Sequence, residues 1–239
     1  MPVYALNRKL VFPPPHLSEP SGMLALGGDL SPDRLVLAYS SGIFPWYGSD
    51  LPILWYSPDP RYVLEPLAAH IPRSLRKTMR RGQFEVNFDT RFGEVMRRCA
   101  ETPRPDQDAT WITEDMILGY ERLHALGLAH SIETFEAGRL VGGLYGVSIG
   151  GMFFGESMFT EVPDASKVAF ATLVAWLPTV GVELVDCQVH TNHLARFGAE
   201  AWPRIRYLAE LEKHLRKPTL RGTWTPYAAS ARALQRGSA

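Results

Sequence analysis

The sequence is poor in cysteine: Cys99 and Cys187 stand too far apart to build a disulfide framework. No apolar run approaches the roughly 18 residues that a membrane-spanning helix needs. The segment Met1 to Arg8 lacks the apolar stretch and small-residue cleavage site of a signal peptide, so the expectation is a cytoplasmic protein with reduced thiols and no membrane partner. Charge of one sign is not in excess either. With 25 Lys+Arg against 25 Asp+Glu, any nucleic-acid surface must arise from local clustering. The Gly-x-x-x-x-Gly-Lys phosphate loop is absent, which removes the usual nucleoside-triphosphate site. No internal repeat and no nucleophile elbow is read.

What is present can form a core. Apolar residues make up 46% of the 239, enough for one large domain or two small ones. The most informative stretch is Phe153-Phe154-Gly155-Glu156-Ser157-Met158-Phe159, with an echo at Val185-Asp186-Cys187-Gln188-Val189. Each is an apolar, β-forming run broken by polar groups that a plain core strand would not choose. In the second, period-2 alternation puts Asp186 and Gln188 on one face and Cys187 on the other. Two same-face neighbours lie roughly 6.5–7 Å apart, close enough to address one small substrate group together. A carboxylate in such a strand costs desolvation energy unless paired or working, and satisfaction by backbone donors is the plainer alternative.

Along the chain, residues 1–20 read as a proline-rich extended arm and Leu24 to Asp29 as a glycine-rich turn. Ser31-Pro32-Asp33 opens a helix that Gly42 closes. The aromatic stretch Ile43 to Tyr56 reads as loop, where Trp46 either plugs a small core or stacks a nucleobase. Residues 62–65 begin the main domain as a strand. Arg73, Arg76, Lys77, Arg80 and Arg81 follow with no acid among them, on a helix ended by Gly82. They form either a solvated face or an anion-binding surface. A strand at 84–89, a helix around Phe92 to Cys99, and a Pro/Asp loop at 101–109 come next. Thr113 caps a further helix that Gly127 ends; a hairpin (130–136, 139–149) leads into strand 152–159. An apolar helix from Pro163 to Pro178, a strand at 182–189, a helix at 191–197 and an amphipathic helix through Tyr207 and Leu215 complete the order. Cys187, His190 and His193 have a spacing open to metal, but Cys187 should point away from the polar pair, so neither a metal nor a cysteine nucleophile is expected. This order is compatible with an acyl-transfer fold containing a splayed parallel strand pair.

Several segments closely resemble the leucyl/phenylalanyl-tRNA–protein transferases of bacteria. They are Gly22 to Leu30 (GMLALGGDL), Gly42 to Trp46 (GIFPW), Trp55 to Arg61 (WYSPDPR), Thr110 to Thr113 (TWIT), His130 to Glu133 (HSIE), Gly142 to Val147 (GGLYGV), Phe154 to Phe159 (FGESMF) and Asp186 to Gln188 (DCQ). They run in order from about residue 20 to about 210.

The resemblance implies an α+β protein: a small N-terminal domain (1–61), a GNAT-type acyltransferase domain of mixed sheet flanked by helices (62–217), and a C-terminal tail (218–239). It implies transfer of Leu or Phe, and by extension Met, from aminoacyl-tRNA to the N-terminal Arg or Lys of an acceptor protein, which marks that protein for N-end-rule degradation. No cofactor is implied, and a monomer is expected. By motif, Tyr39, Trp46 and Trp111 correspond to residues that hold the terminal adenosine. Leu144, Phe153, Met158, Phe170, Leu173, Leu177 and Val185 fall where the family builds its aminoacyl side-chain pocket. Asp186 and Gln188 match the catalytic pair, with Glu156 beside them. Leu144, Leu173, Leu177 and Tyr56 differ from the residues associated with those places.

The chemistry agrees. An aminoacyl ester is already activated, so aminolysis needs orientation and a neutral amine more than a strong nucleophile. Two other classes share features with the chain. A coenzyme-A-dependent acetyltransferase should carry a glycine-rich pyrophosphate loop, which Phe159 to Ala165 does not offer. A non-catalytic RNA-binding module would explain the basic helix but not the Asp186/Gln188 pair.

Overall fold

The computed structural model describes residues 3–103 and 110–237, with side chains through 234; most of the expected Pro/Asp loop at 101–109 lies outside the described residues. The N-terminal part is a small sheet where the sequence suggested an arm, a turn and a loop. Strands β1 (Tyr4–Leu6), β2 (Met23–Gly27), β3 (Phe44–Pro45) and β4 (Leu54–Tyr56) form it in the order β1-β2-β4-β3. The expected arm pairs in parallel, Tyr4 opposite Ala25 and Leu6 opposite Gly27. Leu24 to Gly27 is therefore strand, and the turn follows it, with Gly27 and Gly28 at φ +83° and +78°, a region that disfavours a Cβ. Helix α1 (Pro32–Ser40) starts as its sequence dictates: Ser31 Oγ accepts from the Arg34 amide and Pro32 opens the first turn.

The main sheet has seven strands. They are β5 (Arg61–Leu64), β6 (Glu85–Phe88), β7 (Ala129–Glu136), β8 (Arg139–Ile149), β9 (Met152–Thr160), β10 (Leu184–Gln188) and β11 (Glu200–Trp202). Their order is β11-β5-β10-β9-β8-β7-β6, antiparallel throughout except for β9 beside β10. Helices α2 (Arg73–Arg80), α3 (Phe92–Glu101), α4 (Glu114–Ala125), α5 (Ala165–Trp176), α6 (Asn192–Ala195), α7 (Arg204–Leu215) and α8 (Ala228–Gly237) flank it. This is the expected α+β architecture: a mixed sheet between helices with one parallel pair at its centre, preceded by a small N-terminal unit.

One face of the sheet shares a core with the N-terminal unit, where Leu35, Tyr39, Tyr120, Phe154 and Tyr207 pack together. The other is covered by α5, which is buried around nearly its whole circumference, with α8 packed against both α5 and β6. The segment after 217 is thus part of the core rather than a tail. Trp224 is fully buried and stacks on His130 at 3.7 Å between ring centroids, and Ala228 and Ala231 are buried behind it.

Candidate active site

The site lies where β9 and β10 part. Their parallel pairing covers only Leu184, Val185 and Asp186 against Met152, Phe153 and Phe154, and both strands are bulged at the point of divergence. On β9, Gly155 pairs with Gly146 and Ser157 with Tyr145, leaving Glu156 as the extra residue. The approach is tight: a Cβ on Gly146 would sit 2.3 Å from the Phe154 carbonyl oxygen, so the bulge requires glycine there. On β10, Asp186 pairs with Val63 and Gln188 with Tyr62, leaving Cys187 as the extra residue. Gln188 adopts φ +62°, an uncommon conformation for a side-chain-bearing residue. Bulges re-aim side chains, and these two aim Glu156 and Gln188 into the same gap.

That gap is a cavity of about 510 Å³. Trp46 and Trp111 form part of its wall; Leu144, Phe153, Met158, Phe170 and Val185 make an apolar surface; Glu156 and Gln188 supply polar groups. Leu173 and Leu177 lie behind this surface, fully buried in the same apolar cluster but not on the wall. Tyr39 is not on the wall either. It is wholly buried, and its hydroxyl donates to Glu156 Oε1 at 2.7 Å.

The shared face of Asp186 and Gln188 is overturned. The bulge at Cys187 cancels the alternation, so Cys187 lines the cavity with Gln188 while Asp186 points to the opposite side of the sheet. There Arg61 Nε and Nη2 donate to its two oxygens at 2.8 and 2.6 Å, and the Tyr207 hydroxyl donates to Oδ2 at 2.7 Å. Asp186 is therefore a paired carboxylate behind the site rather than a group inside it. Cys187 remains without a nucleophilic role for another reason: burial pushes its thiol well above the ordinary range, so it stays protonated. The string Gly146-Val147-Ser148-Ile149-Gly150 spells a nucleophile-elbow pattern, but it lies along β8 and ends in the hairpin turn, with Ser148 buried and donating to the Met152 carbonyl.

Glu156 is the electrostatic centre. Its Oε1 accepts from Tyr39 and from Gln188 Nε2, each at 2.7 Å, and Oε2 accepts from Tyr120 at 3.1 Å. Burial raises its pKa to about 7 against the opposing pull of these three donors, and Asp186 raises it a little further. Tyr39 and Tyr120, in close contact with each other, are pushed well above their usual value by burial and by Glu156, so both remain donors. Sequence reasoning missed Tyr120, which on its helix looks like core, and Arg61, whose charge at the head of the buried run Tyr62-Val63-Leu64 signalled a carboxylate partner.

On α2, Arg73, Arg76, Lys77 and Arg80, with Arg81 just beyond, are exposed, and none forms an ion pair among the described residues; only Leu75 is buried. The helix packs beside the start of α5, where Thr78 and Lys167 share Asp164, and Lys167 reaches the cavity wall. Among the described residues no group of three or more His, Cys, Asp or Glu is arranged to hold a metal, and no helix is long and apolar enough to cross a membrane.

The family models that match are leucyl/phenylalanyl-tRNA protein transferase over residues 63–212 and the N-terminal domain of the same family over residues 28–59. A leucyl/phenylalanyl-tRNA–protein transferase from Anaeromyxobacter sp. (strain K) is 59% identical over 224 residues, covering 94% of this chain and 96% of the relative. One from Myxococcus xanthus (strain DK1622) is 55% identical over 232 residues, covering 96% and 99%. One from Syntrophotalea carbinolica is 58% identical over 212 residues, covering 89% and 92%.

Proposed function

Because the chain belongs to the leucyl/phenylalanyl-tRNA–protein transferase family, we propose that it moves Leu, Phe or Met from aminoacyl-tRNA to the N-terminal Arg or Lys of an acceptor protein. The product would be marked for N-end-rule degradation in the cytoplasm. The observation that carries this reading is the cavity at the β9–β10 gap, apolar on its inner surface, with Glu156 and Gln188 at the gap and two tryptophans on the wall.

Each part matches one part of the substrates. Leu144, Phe153, Met158, Phe170 and Val185 suit an unbranched-Cβ apolar side chain, with Leu173 and Leu177 backing them. Trp46 and Trp111 suit the terminal adenine, since stacking on an aromatic is worth about 1–3 kcal/mol per base. Tyr39 serves that end only indirectly, through Glu156. The exposed cations of α2 suit tRNA phosphates.

The reaction is aminolysis of an ester. The acceptor α-amine attacks the aminoacyl carbonyl carbon, a C–N bond forms, the bond to the ribose oxygen breaks, and that oxygen leaves as a hydroxyl. The amine must first be neutral. Glu156, with a pKa of about 7, is matched to an α-amine of about 7.7–8 and suits the role of proton acceptor. Gln188, held on Glu156, orients the amine through its amide oxygen. The ammonium proton goes to solvent before attack; Glu156 takes the second proton as the C–N bond forms and returns it to the departing ribose oxygen, so the step balances without a covalent enzyme intermediate.

The test is transfer of label from leucyl-tRNA into acid-insoluble protein with Arg-initiated and Lys-initiated acceptors. Label in both, and none with an acidic N-terminus, is the expected result. Equal transfer to all acceptors would overturn the acceptor specificity, and no transfer at all would overturn the activity.

A further inference from the structure

We propose that Arg61, seconded by Tyr207, is a positioning residue for the transfer reaction: it holds Asp186 as the fixed acceptor that sets the Gln188 turn. The proposal rests on the transferase reading above and assigns Asp186 a place in that reaction other than base or relay.

Asp186 has no capacity left for a substrate proton. A carboxylate offers about four lone-pair sites. Oδ1 accepts Arg61 Nε at 2.8 Å and the Gln188 backbone N–H at 2.8 Å; Oδ2 accepts Arg61 Nη2 at 2.6 Å and the Tyr207 hydroxyl at 2.7 Å. Its side chain is fully buried and it is not on the cavity wall. What it does hold is the turn. The bond from the Gln188 N–H to the side chain two residues earlier is an Asx turn, and it offsets the cost of φ +62° at Gln188, a conformation that most side chains disfavour. In that conformation, past the Cys187 bulge, the Gln188 amide reaches Glu156.

Arg61 also reaches the other wall. Its Nη1 donates to the Gly42 carbonyl at 3.3 Å, and its guanidinium lies between the Phe44 and Tyr207 rings, 4.6 and 4.7 Å from their centroids. Phe44 lines the cavity and leads into Trp46. One buried side chain thus ties the nucleoside wall to the catalytic turn. A pair kept only for stability could be exchanged for apolar groups of similar volume. This one has its remaining acceptor capacity committed to Gln188 and Tyr207.

The test compares Arg61→Met, Asp186→Asn and the double variant, with single-turnover transfer from saturating leucyl-tRNA to an Arg-initiated acceptor as the readout and thermal melting as the folding control. Asn keeps an oxygen for the Asx turn, and Met fills the space between the two rings without a charge. Each single variant leaves one buried group unpaired and is expected to slow transfer by about 10–100-fold. The double variant is expected to be about as slow as the slower single variant, because groups acting as one unit are non-additive. A folded double variant that recovers to within about threefold of wild type would overturn the proposal, since the pair would then serve stability alone, and losses that multiply would make Asp186 act apart from Arg61. If the double variant does not fold, Arg61→Lys decides: it keeps the charge but not the fork, so kcat should fall about tenfold with acceptor KM unchanged. An unchanged kcat would refute it. Failure of the wild-type chain to transfer leucine would instead sink the transferase reading.

Discussion

Tyr39 donates its phenolic proton to Glu156 Oε1 across 2.7 Å, although 117 residues separate them in sequence. A helix of the N-terminal part therefore sets the charge state of a carboxylate on the central sheet. The two parts of the chain are joined at this point and again at Arg61, whose guanidinium meets both Gly42 and Asp186. The N-terminal sheet is accordingly a supporting element of the site.

This relationship can be tested through pH. Tyr39 stabilises the ionised form of Glu156, so Tyr39→Phe should raise the Glu156 pKa further above about 7. The acid limb of kcat/KM against pH should then move to higher pH, with the alkaline plateau largely recovered. Tyr120→Phe should move it in the same direction, since it also donates to Glu156. A limb that does not move would exclude Glu156 as the group that must ionise.

The basic helix should act through phosphates. Replacing Arg76, Lys77 and Arg80 by Ala should weaken binding of every tRNA to a similar degree. It should also shrink the salt slope by about 0.7–0.9 for each phosphate no longer neutralised. An unaltered slope would make α2 a solvated face.

The apolar cavity predicts a selectivity order. Leu, Phe and Met should transfer comparably, since apolar walls separate similar side chains by only about 1–3 kcal/mol per methylene. Val and Ile, branched at Cβ, should fail by shape against Val185 and Phe153. Single-turnover rates with each aminoacyl-tRNA provide the measurement, and equal rates for Ile and Leu would rule out the assignment.

Elements marked by local chemistry were readable without the structure. The Thr113 cap, realised as Thr113 Oγ1 accepting from the Met116 amide, and the Ala137-Gly138 hairpin turn are examples, because caps and turns involve neighbours in sequence. The N-terminal sheet was not readable: β1 pairs with β2 about twenty residues on, and strands of two to five residues carry little periodicity. The site was half readable. Alternation along Val185 to Val189 assumes an unbulged strand, and the Cys187 bulge with Gln188 at φ +62° has no glycine to announce it. That hidden irregularity reversed the facing of Asp186 and Cys187, while Glu156 and Gln188 both reach the cavity and bond to each other.

A second buried glutamate should dominate the pH dependence of stability rather than of rate. Glu133 on β7 is fully buried, and it accepts from the Thr90 and Arg91 amides at the start of α3, from the Thr90 hydroxyl at 2.9 Å and from Ser131. Four donors favour the ionised form, yet burial outweighs them and lifts the pKa from 4.5 to about 7. A folded-state pKa above the unfolded one means that the folded chain binds the proton more tightly. The associated stability is complete below about pH 4.5 and is lost as pH rises through about 7, with an upper bound on the order of 3 kcal/mol at 1.36 kcal/mol per unit. Glu156 adds a loss of the same sign over the same range. Glu133→Gln cannot ionise, so its stability should fall less between pH 5 and pH 8 than that of wild type, even though its amide hydrogens oppose one of the helix-start amides and lower stability at both values. Urea unfolding at the two pH values gives the comparison. An equal fall in both proteins would show that Glu133 stays ionised throughout, with its four donors prevailing over burial.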